Sequence, residues 1–195
     1  MNIIDNIKSE IMILNEKHMI ESEDKYNFWE EHIKYVVQEA LFLAEIYDAD
    51  IEIVELAALL HDVALIAKIG TRKDHHTTGA EIAESMLSKY NYPKEKTDKI
   101  KKCISNHRSS KNATNIEDIC VADADILARF DNIPMLFNVI MNNVWGDKNE
   151  MNTTLPELKS KMEKSFEYDY NDLSERTKQH FNDRYKLICQ IVLGR

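Results

Sequence analysis

Apolar residues recur at helical spacing through almost the whole chain. Residues 2–18 place Ile3, Ile4, Ile7, Ile11 and Leu14 on one stripe, with Lys8, Glu10 and Glu16 outside it, which predicts an amphipathic helix packed on something else. After a charged linker, ESEDKYN, a second helix is predicted from Phe28 to Tyr47, its wide apolar face formed by Ile33, Val36, Val37, Ala40, Leu41, Leu43 and Ala44. Residues 51–67, IEIVELAALLHDVALIA, are apolar on nearly every side and predict a central helix buried all round. A polar loop, IGTRKDHHTTG, leads to a helix from about Thr78 to Tyr90 with Ile82, Ala83, Met86 and Leu87 inward. Residues 94–108 form another, carrying Ile100, Cys103 and Ile104 and ending near His107. After a polar loop, RSSKNATN, comes IEDICVADADILARF, which from Ile119 to Phe130 is almost wholly apolar except for Asp123, Asp125 and Arg129, and Pro134 then opens MLFNVIMNNVW. From Met151 the pattern weakens: Leu155, Leu158, Met162 and Phe166 mark one short helix, and Tyr185, Ile188, Ile191 and Val192 a last one.

No segment sustains a period of two, and no repeat of 20–50 residues is visible, so the expected fold is all-α. The chain divides into an N-terminal helix and linker over residues 1–25, a helical bundle over 26–150, and a C-terminal helical extension over 151–195 packed on the same domain. Composition agrees, since 4 glycines and 3 prolines leave little material for the tight turns of an all-β fold. The net charge of −9 argues against a nucleic-acid polymer as partner, because that grip depends on clustered Lys and Arg. It leaves room for a small anionic substrate, because a bound divalent cation reverses the local field.

Cys103, Cys120 and Cys189 are odd in number and form no CxxC pair, so reduced cysteines are expected rather than a disulfide framework or a thiolate zinc site. The start, MNIIDNIKSEIMILNEKH, lacks the basic and apolar blocks of a signal peptide. No apolar run reaches the roughly 18 residues of a membrane span. The expectation is a cytoplasmic protein without a membrane partner, with a homodimer left open.

Chemistry enters with charge in apolar surroundings. His61 and Asp62 lie side by side in the central run, and buried charges are normally paired or bound to a metal. Adjacent side chains on a helix diverge by about 100°, so the two can share a cation only at a seam between helices. Taken in order, the chain offers His32, His61-Asp62, His75 or His76, His107 and Asp125, each on or beside a different predicted helix. His18 and His180 fall outside this set as surface or satisfied core residues. Mixed His and carboxylate donors suit Mn, Fe, Co or Zn better than Mg. Five or six donors exceed a four-coordinate structural zinc, which suggests two metals with Asp62 as a bridge.

In this order, and with the flanks NFWEEHIKYVV, VELAALLHDVA, DHHTTGAEIA and VADADIL, the chain resembles the HD-domain superfamily of metal-dependent phosphohydrolases over roughly residues 26–145. The resemblance implies His32, His61, Asp62 and Asp125 as metal ligands, with Asp125 preferred to Asp123 because it follows Ala124 and precedes Ile126 and Leu127. His75 and His107 match further ligands of members with a binuclear centre, and His76 is the rival for the first of these. Three departures limit the transfer of a substrate. Leu65 stands where mononuclear nucleotidases have glutamate. Asn106-His107 stands where cyclic-dinucleotide phosphodiesterases have paired histidines. Ile126 and Ala128 stand where small nucleotide-cleaving relatives usually have Arg and Asp.

The implied activity is hydrolysis of a phosphoester or phosphoanhydride in a nucleotide or other small phosphorylated metabolite, with one or two divalent transition metals per chain. Asp62, His75 and His107 are the expected catalytic residues, and water acidified by the metal the nucleophile. Phosphoryl transfer also calls for nearby cations, for which Arg72, Arg108 and Arg129 are candidates, with Lys68 and Lys73 close by. Arg129 would serve equally in a salt bridge with Asp123 or Asp131. Phe28 and Trp29 could wall a base pocket. Phe166, Tyr168 and Tyr170 could cover the site or join a dimer contact. Two other classes share the ligand set: the HD-fold oxygenases with a mixed-valent di-iron centre, and a non-catalytic binding or regulatory module.

Overall fold

Helices begin in this chain where a short polar side chain can satisfy the first free N–H groups. Asn2, Asp50, Asn115 and Ser174 each accept from the backbone N–H three residues on. The computed structural model describes residues 2–23, 26–132 and 155–194. Its helices are α1 (Ile3–Glu21), α2 (Lys34–Tyr47), α3 (Ile51–Leu60), α4 (Val63–Ile66), α5 (His75–Ser88), α6 (Lys94–Asn106), α7 (Ile116–Asp131), α8 (Leu155–Asp172) and α9 (Glu175–Leu193). No strand occurs among the described residues, as the all-α expectation requires.

The central element is α3, buried from Ile53 to Leu60 except at Glu55, and packed on α1, α2, α6 and α7. Helix α1 lies across it through Ile7 and Ile11 and is tied to α4 where His18 Nδ1 meets the Ile66 carbonyl at 3.1 Å. His18 is therefore a satisfied core residue, while His180 is exposed. Phe28 is buried edge-on against His18 and Tyr26, and Trp29 lies under Lys8, so these aromatics serve packing.

The C-terminal helices pack back on α7. Phe166 and Phe181 both meet Phe130, and Tyr170 stacks on Tyr185 with ring centroids 4.1 Å apart. Phe166 thus fills this seam, while Tyr168 is exposed. A polar lock closes it: Asp123, fully buried, accepts from Ser110 Oγ, from Ser174 N (3.0 Å) and Ser174 Oγ (2.5 Å), and from Thr177 Oγ1 (2.5 Å). Tyr47 completes it from α2 through its hydroxyl, 2.7 Å from Thr177 Oγ1.

Three boundaries differ from the periodicity. The central run 51–67 is broken at His61-Asp62 into α3 and α4. Helix α5 starts at His75 rather than Thr78, so both of its histidines lie in a first turn. Helix α8 continues to Asp172 instead of ending near Phe166, because its buried side includes Asp169 and Asp172, acids that an apolar pattern does not count. The expectation for Pro134 and the residues after it lies outside the described residues.

Candidate metal centre

The site is built around the break between α3 and α4. Asp62 adopts φ −104° and ψ 15°, the sparsely populated bridge region, and its carbonyl accepts from Leu65 and Ile66 to restart the helix. This turn brings the doublet together, with His61 Nε2 3.5 Å from Asp62 Oδ2. Helix α5 reaches the turn closely because residue 79 is glycine: a Cβ there would stand 3.3 Å from the His61 carbonyl oxygen.

His32 comes from a π-helical turn, Trp29–Ile33, that runs directly into α2. Such turns insert one extra residue and often occur at functional positions. His75 comes from the first turn of α5, His107 from the C-terminus of α6, and Asp125 from the middle of α7. All six side chains are buried.

Asp62 faces two histidine pairs with its two oxygens. Its Oδ2 lies 3.5 Å from His61 Nε2 and 3.7 Å from His32 Nε2. Its Oδ1 lies 3.3 Å from His75 Nε2 and 3.9 Å from His107 Nε2. Within each pair the Nε2 atoms are 3.1 Å apart. Asp125 joins the first pair, its Oδ1 3.0 Å from His32 Nε2.

The ring tautomers decide what this arrangement can hold. His61, His75 and His107 each donate Nδ1–H to the carbonyl three residues earlier, of Ala58 (2.8 Å), Arg72 (2.8 Å) and Ile104 (2.7 Å). Their neutral forms therefore carry bare lone pairs at Nε2. In the His75–His107 pair two such lone pairs confront each other at 3.1 Å, an arrangement that repels unless a cation lies between. Burial, reinforced by His61, pushes His107 down to about 4, so a proton is a poor candidate there. Two donors each about 2.1 Å from one metal stand about 3 Å apart, which matches the spacing.

The surrounding field favours a cation as well. Burial opposes charge on Asp62, but His61, His32 and His107 outweigh it and hold the carboxyl well below its usual range. Burial likewise opposes a proton on His61, yet Asp62 and then Asp125 lift it to about 9. Donor type, spacing and charge thus fit a divalent metal in each of two groups, His32-His61-Asp62 and Asp62-His75-His107, with Asp62 common to both.

The rival positions separate cleanly. Asp123 is occupied by the C-terminal lock, and Asp125 faces His32. His76 Nδ1 is buried without a hydrogen-bond partner, and no short contact joins its ring to Asp62, whereas His75 makes one. Arg72 and Arg108 are exposed at the rim, the first through its carbonyl bond from His75 and the second through Nη1 to the Lys73 carbonyl at 3.0 Å. Lys68 is turned away to the Glu21 carbonyl. Arg129 pairs with neither Asp123 nor Asp131. It bridges Asp125 Oδ2 (3.2 Å) and Asp169 Oδ1 (2.8 Å), while Asp131 pairs with Arg184.

Two neighbours were not expected from the sequence. Tyr26 is half-buried beside the centre, its phenol pushed up by burial and then by Glu31, Asp62 and Asp125. Its nearness comes from chain folding and leaves no local signal. Asp169 lies three residues after Phe166 and so on the same helix face, a carboxylate placed on an apolar side that the pattern could have flagged.

The comparisons with known proteins bear on the family and the fold. The family model for the HD domain matches residues 29–129, more than half of the 195 residues. No curated protein matches the chain. A crystal structure of a predicted HD superfamily hydrolase from an uncultured Thermotogales bacterium is similar over 95% of this chain and 99% of its own, with a TM-score of 0.54 and 21% sequence identity. That identity speaks for a shared fold. With its matched segment holding His32, His61-Asp62, His75, His107 and Asp125, the chain belongs to the HD domain family.

Proposed function

We propose that the protein is a metal-dependent phosphohydrolase acting on a nucleotide or another small phosphorylated metabolite. One observation carries the reading: the two oxygens of Asp62 each face a histidine pair whose Nε2 atoms are 3.1 Å apart, the layout of two cations sharing one carboxylate. His32, His61, Asp62 and Asp125 would hold one metal, and Asp62, His75 and His107 the other. When bound, the metals supply Lewis-acid polarisation of a phosphoryl oxygen and lower the pKa of water towards about 7.

The protein's own groups do the rest. The Ala58, Arg72 and Ile104 carbonyls fix three imidazoles in one tautomer and orientation. Burial of His61 and His107 keeps bulk water from the donor atoms, which strengthens each electrostatic contact. Arg72, Lys73 and Arg108 line the rim beside His75 and His107, which supports an anionic substrate at that half. The solved protein similar in fold is named a predicted hydrolase, which points the same way.

The test is release of phosphate or pyrophosphate from a panel of nucleotides and sugar phosphates with added manganese, run beside Asp62→Ala. Turnover that vanishes in the variant is the expected result. The same donor set would serve a mixed-valent di-iron oxygenase, so silence across the panel together with two irons per chain would overturn the hydrolase.

A further inference from the structure

Asp125 is shared between two claims. Its Oδ1 faces His32 at 3.0 Å, and its Oδ2 accepts from Arg129 Nη2 at 3.2 Å. A guanidinium so near a cation site is a liability: it repels the metal, and with two parallel N–H groups it could take both oxygens of Asp125 for itself. The structure shows what prevents this. Arg129 Nη1 is held at 2.8 Å by Asp169 Oδ1, on α8 and beyond the segment that the family model matches. Asp169 is 4% exposed and sits on the inner face of its helix, one turn from Phe166. The next acid on that face, Asp172, accepts from Ser109 Oγ at 2.8 Å, two residues past His107. The last turn of α8 therefore reaches behind both halves of the centre.

We propose that Asp169 is a positioning residue for the metal centre: by holding Arg129 through Nη1, it limits the guanidinium to one oxygen of Asp125 and balances its charge, leaving Asp125 Oδ1 to the metal. The inference rests on the metal-centre reading above. Its physical content is that Arg129 is the agent and Asp169 its restraint. Removing the restraint frees a cation to compete for Asp125, while removing both abolishes the competition.

Manganese affinity, measured by calorimetry on the full chain stripped with chelator, tests this directly. Asp169→Asn is expected to weaken manganese binding by about 10-fold or more, the range seen when outer partners of metal ligands are changed. Adding Arg129→Gln to that variant should recover affinity to within a few-fold of the parent. A loosened α8 would not be repaired by a second substitution, so rescue separates positioning from mere structural support. Equal affinity in the parent and Asp169→Asn would overturn the inference, as would a double variant no better than the single one. Should Asp169→Asn not fold, Arg129→Gln alone decides: affinity at or above the parent's supports the inference, and a 10-fold loss overturns it. Failure of the parent to bind manganese at all would instead strike the metal-centre reading, so the two failures are distinguishable.

Discussion

At the scale of single residues, the two aspartates of the Ala-Asp-Ala-Asp stretch of α7 do opposite work two positions apart. Asp123 gathers the hydroxyls of Ser110, Ser174 and Thr177 and the Ser174 N–H at the C-terminal lock, and Asp125 faces His32. Asp123→Ala should destabilise the fold by about 3 kcal/mol, since it strands buried hydroxyls, while leaving manganese affinity nearly unchanged. Asp125→Ala should do the reverse, and calorimetry with thermal unfolding of both variants checks the exchange of roles. Histidine titration gives a second prediction. Because His107 sits at about 4 in the fold, below its ordinary 6.5, the unfolded chain takes up that proton first. Its contribution to the metal-free protein is present above about 6.5 and is lost as pH falls towards 4. His61, raised to about 9, acts in the other sense and loses its contribution as pH rises from about 6.5. Thermal midpoints of the metal-free chain should fall on the acid side, and His107→Gln should flatten that limb; an unchanged limb would contradict the assignment.

At the scale of elements, the break between α3 and α4 matters more than either helix. It depends on α5 coming close, and that depends on Gly79, where an added Cβ would lie 3.3 Å from the His61 carbonyl with Ile104 and Val63 side chains just behind it. Gly79→Val should therefore cost about 1–3 kcal/mol by overpacking and weaken metal binding together with it. A variant with full stability and full affinity would show that the close approach is dispensable. Element by element, the helices around the site were legible because their apolar stripes have a helical period, and the donors because charge stood out within those stripes. The break at Asp62 was not legible: IEIVELAALLHDVALIA reads as uninterrupted helix, and the close approach of α5 to the turn exists only in the folded chain. The π-turn at His32 was hidden for the same reason, as one inserted residue leaves the local pattern nearly unchanged. Arg129 stands out in its apolar helix, but its partner Asp169 lies 40 positions away and only folding joins them.

At the scale of the whole molecule, His32 from the π-turn, His61 after α3, His75 of α5 and His107 after α6 converge on the one carboxylate of Asp62, and Asp125 of α7 joins them through His32. The C-terminal helices are locked to this core at Asp123 and reach its centre through Arg129. Among the described residues no helix is long and apolar enough to cross a membrane. Because ligands from the π-turn, the α3–α4 break, α5, α6 and α7 meet at the site, metal binding should stabilise the whole fold. Saturating manganese at 100 times its dissociation constant should add about 2.7 kcal/mol per site. The most direct measurement is the manganese stoichiometry of the purified chain beside Asp62→Asn and His75→Ala. Two metals per chain are predicted for the parent, one for His75→Ala, and a loss at both sites for Asp62→Asn. A parent that binds a single metal, or an Asp62→Asn variant that retains two, would contradict a binuclear centre bridged by Asp62.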